Sequence, residues 1–255
     1  MNYDDNLKLF IENFKRVKNM GWVKSHRKKA TGIGKTFEDL VGVEENNLDE
    51  PDFGMIEIKS QRALSEAYIT LFTKAPKPYR TNAKIREEYG YMDEKFQSNK
   101  VLRMRMNNTF EWNKIKSGWD FRLRIDEGDN KIHLEFRKTP TTLNRFCYSN
   151  NLGPINGFYE FEDFKKSVKK LNTLAFVTAE KKKMGDDEYF HFSKCKIYSG
   201  GLDYNRFITL LKNGTIVYEI RLGLHSNGKN HDHGSGFRIS KKKMNDVWNN
   251  YLEII

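Results

Sequence analysis

Apolar residues recur along this chain with two different periods, and the period separates helices from strands. Near the start, Leu7, Phe10, Ile11, Phe14 and Val17 keep the spacing of one helix face, which predicts an amphipathic helix over residues 4–18. A second helix is expected from Thr36, whose hydroxyl suits an N-cap, through Phe37, Leu40 and Val41 to Gly42. The pattern then changes to alternation. Ile56 and Ile58 lie on one side of Met55–Ser60 and Glu57 and Lys59 on the other, and AYITLFT at 67–73 reads as an adjacent strand. Trp119, Phe121, Leu123 and Ile125 alternate with polar residues, as do Ile132, Leu134 and Phe136 after the turn residues EGDN, which predicts a hairpin. Phe161, Phe164, Val168 and Leu171 predict a helix, followed by the strands TLAFVTA and EYFHFSKCKIY. Asp203 caps a short helix carrying Phe207, Leu210 and Leu211, closed by Asn213-Gly214 before the strand TIVYEIRL. From Ser240 onward, Met244, Val247, Trp248, Tyr251, Leu252 and Ile255 predict a last helix that runs to the final residue. This irregular alternation predicts a mixed α/β fold rather than a regular doubly wound sheet.

Composition adds limits. With 255 residues, 38% of them apolar and 13% aromatic, the chain can bury a sizeable core, which excludes intrinsic disorder. No apolar run approaches the ~20 residues that span a bilayer, and the N-terminus MNYDDNLKLF is acidic and polar, so no membrane association is expected. Two cysteines, Cys147 and Cys195, are too few for a disulfide scaffold or a four-cysteine zinc site and suit a reducing cytoplasm. Forty-five Lys and Arg against 34 Asp and Glu leave a net charge of +11. Its distribution is uneven: Lys24, Arg27, Lys28, Lys29 and Lys35 occur without a carboxylate around Gly32 and Gly34, and Arg238, Lys241, Lys242 and Lys243 form a second excess. Neither stretch is an amphipathic basic helix with a bulky apolar face, so phosphate of a nucleic acid is a better partner than a lipid surface.

The stretch Asn46–Lys59, NNLDEPDFGMIEIK, carries the candidate chemistry. Residues two apart in a strand share a face, so Glu57 and Lys59 stand side by side, and Asp52 can reach the same point from the preceding loop. Two converging carboxylates repel, and a hard divalent cation resolves the repulsion. The lysine can then stabilise charge on a phosphorane-like transition state or orient a metal-acidified water. The bland alternative is a solvated strand face with a weak salt bridge. A phosphate-binding loop around Gly34-Lys35-Thr36 fails on spacing, because the required earlier glycine is Lys29. Near the C-terminus, RLGLHSNGKNHDHGSGFR gathers Arg221, His225, His231, His233 and Arg238 among four glycines. Zinc at His231 and His233 lacks further ligands at ordinary spacing. Base recognition fits better, because arginine donates two hydrogen bonds to guanine and histidine either donates or accepts. Lys241 and Lys242, at the start of the expected last helix, are candidate phosphate contacts.

The run GIGKTFEDLVGVEENNLDEPDFGMIEIKSQRA, followed by ITLFTKAP, resembles the MvaI/BcnI family of Type II restriction endonucleases, relatives of the nicking enzyme MutH. The residues that carry the likeness are Gly32, Gly34, Glu38, Pro51, Asp52, Phe53, Glu57, Lys59 and Leu71 to Lys74. The resemblance implies a restriction-endonuclease-like PD-(D/E)xK fold, a central mixed β-sheet flanked by helices, with Asp52 and Glu57 as metal ligands, Lys59 as the catalytic lysine and Glu38 as an accessory acid. It also implies double-stranded DNA as substrate, Mg²⁺ as cofactor with Mn²⁺ able to substitute, and a short GC-rich CCNGG-type site cut to leave 5′-phosphate ends. A monomer in a prokaryotic cytoplasm is expected, with a cognate DNA methyltransferase in the host. Residues 1–110 would be mainly catalytic and 111–255 mainly DNA-recognising, with the last helix packing back on the catalytic part. The DNA-binding set is then Lys28, Lys29, Lys35, Arg221, His225, His231, His233, Arg238, Lys241 and Lys242. A MutH-like nicking enzyme and a non-catalytic DNA-binding protein remain as alternatives.

Overall fold

In a computed structural model, residues 2–45, 49–96, 99–106, 110–140 and 152–254 are described. The chain forms two compact units that do not follow its order. One comprises residues 1–69, 165–206 and 240–255, the other residues 70–164 and 207–239. The chain therefore crosses between units four times, because strands distant in sequence complete the five- and six-stranded sheets.

The first unit is built on helix α1 (Tyr3–Asn19) and helix α2 (Gly32–Leu40) over a five-stranded sheet. The sheet runs β1 (Val23–Lys24), β11 (Asp187–Ser199), β10 (Leu174–Met184) and β2 (Glu57–Arg62), with β15 (Asn250–Ile254) also paired to β11. β10 and β11 form a long antiparallel hairpin, while β2 joins β10 in parallel at the sheet edge. Phe10, Phe14, Val17, Ile33 and Phe37 from the helices pack on Ile56, Ile58, Ala175, Val177, Phe190 and Phe192 from the strands. The sheet face with Ile58 is thus the buried one, as the alternation requires.

Three expectations are corrected in this unit. α2 begins at Gly32, not Thr36, because the Thr36 hydroxyl donates back to Gly32 O (2.7 Å) and accepts from His26 N, so it serves inside the helix. β2 and the next strand, β3 (Ile69–Thr73), are not neighbours: β2 pairs with β10, and β3 belongs to another sheet. The expected last helix is only a 3₁₀ turn over Lys241–Lys243 and one turn, α6 (Met244–Val247), before the backbone extends at Trp248 into β15. Trp248 anchors that switch by donating from Nε1 to Leu171 O (2.9 Å), and Asn249-Asn250 are weak helix formers ahead of β-favouring Tyr251.

The second unit holds two sheets. One orders β3, β14 (Gly236–Ile239), β12 (Ile216–Leu224), β5 (Asn99–Arg105) and β4 (Tyr91–Asp93), with β13 (Asn230–Asp232) also on β12. Gly236 lets β14 approach β3, since a Cβ there would meet Phe72 O at 2.4 Å. The other orders β6 (Asn113–Lys114), β7 (Trp119–Asp126), β8 (Lys131–Lys138) and β9 (Gly157–Glu160), in the register the hairpin pattern predicts. Helix α3 (Thr81–Tyr89) lies within this unit, and α4 (Phe161–Lys169) and α5 (Tyr204–Lys212) each contain a crossing point. The core is aromatic: Phe72, Phe164, Phe207 and Phe237 meet Tyr159 and Tyr218, whose hydroxyls hydrogen-bond to each other at 2.9 Å.

Candidate functional site

The loop after Pro51 is folded by a tight turn in which Phe53 N donates to Ile56 O (2.9 Å) and Ile56 N to Phe53 O (3.0 Å). Gly54 takes φ +61° at its tip, and Asn6 of α1, 4% exposed, accepts from Met55 N at 2.9 Å through Oδ1. The turn brings Asp52 back over the start of β2, where its Oδ2 accepts from Ile58 N (2.8 Å). Glu57 is 1% exposed and hydrogen-bonded at Oε1 by Lys59 Nζ. Lys170, which follows α4, puts its Nζ 3.6 Å from Glu57 Oε1 and 3.6 Å from Asp49 Oδ1. Asp49 is itself held by Ser167 Oγ at 2.9 Å.

Burial pushes the Glu57 carboxyl above its ordinary pKa, and the neighbouring Asp52 charge adds to that shift while Lys59 and Lys170 oppose it. Glu38 on α2 is raised by burial and again by Asp52, with Lys59 and Lys35 opposing. The four groups the sequence singles out, Glu38, Asp52, Glu57 and Lys59, therefore share one electrostatic environment. Glu57 Oε2 is buried without a hydrogen-bond partner. An orphaned carboxylate oxygen beside a second carboxylate fits a hard divalent cation, and Mg²⁺ typically takes one or two carboxylates and completes its shell with water and substrate phosphate. Among the described residues no three His, Cys, Asp or Glu side chains form a metal cage, so such an ion would depend on outside ligands.

The basic loop is more self-satisfied than its sequence suggests. Lys35 pairs with Asp39 (2.6 Å) and Glu45 (3.7 Å), Arg27 with Glu45 (2.6 Å) and Lys24 with Asp187 (2.5 Å). Lys28 and Lys29 are exposed and make no ion pair among the described residues. The β7–β8 ribbon is internally neutralised too: Arg122 and Arg124 reach Glu135, and Arg137 reaches Asp120.

In the second unit, β12 and β13 stack the rings of His225, His231 and His233, with centroids 3.8 and 4.0 Å apart in succession. Arg221 lies on β12 in the same unit. Arg238 does not join this set. It is 6% exposed, ion-paired to Glu219 (2.5 Å), hydrogen-bonded to Thr70 and donates to Gly234 O (2.7 Å), so its guanidinium is an internal brace. Lys241 and Lys242 are exposed in the first unit, but on a 3₁₀ turn capped by Ser240, not at a long helix N-terminus.

Sequence reasoning missed Asn6 and Lys170. Asn6 carries a readable signal, a polar residue four before Phe10 on the apolar stripe of α1. Lys170 carries none, since it closes a run of ordinary surface lysines and reaches Glu57 only because β10 pairs with β2.

A family model described as the MvaI/BcnI restriction endonuclease family matches residues 11–248. A solved complex of restriction endonuclease MvaI with its cognate DNA substrate is 30% identical over the whole of both chains, with a TM-score of 0.82. MvaI in the absence of DNA is also 30% identical, covering 100% of this chain and 99% of that one, with a TM-score of 0.56. No curated protein matches. With the matched model spanning nearly the whole sequence and the fold shared with a nuclease, this chain belongs to the MvaI/BcnI restriction endonuclease family.

Proposed function

We propose that this protein is a Mg²⁺-dependent Type II restriction endonuclease that hydrolyses double-stranded DNA at a short GC-rich CCNGG-type site, leaving 5′-phosphate ends. The observation that carries the reading is the gathering of Asp52 and Lys59 about a buried Glu57 whose Oε2 has no hydrogen-bond partner. Asp52 and Glu57 would hold the cation, which when bound supplies acidified water and offsets charge at phosphorus. Lys59, anchored on Glu57, holds an ammonium where charge develops on the scissile phosphate. Glu38 shapes the field from α2. Lys28, Lys29, Lys241 and Lys242 would contact backbone phosphates, and Lys35 would do so only by giving up Asp39. Arg221, His225, His231 and His233 would read bases, whereas Arg238 is left out of that set because its donors are used internally. We assign hydrolysis to the unit containing β2 and recognition to the unit containing β12. The protein would act as a monomer in a prokaryotic cytoplasm, beside a DNA methyltransferase that protects the host.

The test is digestion of a long unmethylated DNA of known sequence with Mg²⁺ and with EDTA, beside the Asp52→Ala protein. Discrete fragments that require both Mg²⁺ and Asp52 are expected, and ligation of their ends checks the 5′-phosphate. Nicking that never yields linear DNA would favour a MutH-like enzyme, and specific binding without cleavage would overturn the endonuclease reading.

A further inference from the structure

We infer that Arg103, on β5, is a specificity-determining residue that reads the acceptor edge of a guanine. The inference rests on the DNA-cleaving reading above and adds a residue from a strand more than a hundred positions upstream of the histidine loop. The antiparallel register of β12 and β5 sets Arg221 directly opposite Arg103. Like charges placed opposite each other on one sheet face are destabilising, so the fold gains nothing from this pair by itself.

Its neighbours offset it only from beyond ion-pair contact, through Asp93 and Glu219. Two register pairs away, on the same face, Arg105 faces Glu219 and is ion-paired to it at 3.3 Å, and Glu219 also holds Arg238. Among the described residues neither Arg103 nor Arg221 has a carboxylate in ion-pair contact, and Arg103 Nε is buried with no hydrogen-bond acceptor. The Arg103 guanidinium instead sits over the Phe96 ring, its Cζ 4.1 Å from the ring centroid. Burial and the Arg221 charge hold its pKa down against Tyr91, Asp93 and Glu219, while burial first, then a neighbouring imidazole and the Arg103 charge, lower the pKa of His231 and His233. Those imidazoles stay neutral near pH 7, so each offers both a donor and an acceptor.

A guanidinium held over a ring face has fewer orientations open to its fork. Two in-plane donors then match two in-plane acceptors, the arrangement offered by guanine O6 and N7 in the major groove. A phosphate also accepts the arginine fork, but it lacks the N7 that 7-deazaguanine removes, and its loss shows in the salt slope.

That difference is the experiment. Binding of the full chain, its Arg103→Lys variant and its Phe96→Leu variant is measured by fluorescence anisotropy in EDTA, with duplexes carrying the site read from wild-type cleavage fragments and with an unrelated duplex. Duplexes in which each guanine of the site is replaced by 7-deazaguanine complete a cycle. Arg103→Lys is expected to lose about 5–150-fold on the cognate duplex, with unrelated-duplex affinity and the salt slope unchanged. One 7-deazaguanine position should weaken wild type but cost Arg103→Lys nothing further. Phe96→Leu, which keeps the charge and frees the plane, should lose cognate preference several-fold. Full cognate preference in both variants overturns the inference. So does a preference that Lys restores while Arg103→Gln lowers the salt slope by about 0.9, the mark of a phosphate contact. Wild-type protein that fails to cut any DNA sinks the parent reading; wild-type cutting beside unaffected variants sinks only this one.

Discussion

The acidic site at β2 and the arginine–histidine cluster at β5, β12 and β13 are opposite solutions to the same electrostatic problem. At β2 Glu57 is buried, two lysines are brought against it, and one of its oxygens remains unpaired. At β5 and β12 the cations face each other, and the nearby carboxylate, Glu219, goes to Arg105 and Arg238 instead. Each region leaves an unmet demand of one sign. The first calls for a cation and the second for hydrogen-bond acceptors, and a metal-assisted nuclease needs both. Other charged clusters are internally paired, as the β7–β8 ribbon and the Lys35–Asp39–Glu45 group show, and these two regions contrast with them.

The largest effects should separate the two regions by readout. Lys59→Ala removes the ammonium proposed to face the developing charge and should lower the cleavage rate about 10²–10³-fold, with DNA affinity in EDTA unchanged. Single-turnover kinetics alongside anisotropy checks this; a parallel loss of affinity would erase the proposed division between the regions. Next comes the turn that aims Asp52. Gly54→Ala places a Cβ 2.5 Å from the Asn6 side chain at φ +61°, a backbone cost of about 1–2 kcal/mol before any contact is counted. Thermal melting should show that loss and kinetics a reduced rate, whereas an unchanged melt would mean the turn is not held by α1.

Much of this was legible in the sequence, for a physical reason. Asp52, Glu57 and Lys59 lie within eight residues, so strand periodicity alone puts the last two on one face. α1, the β7–β8 hairpin and α5 likewise follow from local spacing. What stayed hidden depends on partners. No local pattern states that β2 joins β10 in parallel, leaves β3 to another sheet, and thereby delivers Lys170 to Glu57. Nor does one state that Arg103 will face Arg221, which only the β5–β12 register decides. The C-terminal segment shows the limit from the other side: its apolar spacing suits a helix, but the edge of β11 takes Tyr251 and Leu252 as a strand.

A smaller effect follows from titration. Burial raises the Glu57 pKa in the folded protein, so the folded state binds that proton more tightly than the unfolded chain does. Stability should therefore be full below the ordinary glutamate value and decline as pH rises from there through the raised folded value. In metal-free protein, Glu57→Gln should match the wild type near pH 4 and melt higher at neutral pH, by about 2–4 °C for each kcal/mol relieved. Melts across pH 4 to 8 decide it. A variant that melts lower at neutral pH would mean the two lysines outweigh burial.

The smallest effect tests whether free charge, and not charge as such, binds DNA. Lys28 and Lys29 are unpaired among the described residues, whereas Lys35 is held by Asp39 and Glu45. An exposed lysine on a phosphate contributes about 0.9 to the slope of log K against log salt, so Lys28→Ala with Lys29→Ala should flatten that slope by up to about 1.8. Lys35→Ala should leave it nearly untouched, because its ammonium is already neutralised and surface pairs of this kind contribute about 0–1 kcal/mol. Equal slope changes for the loop lysines and Lys35 would show that Lys35 exchanges its carboxylates for phosphate on binding, and would place α2, with Glu38 one turn beyond Lys35, directly on the DNA.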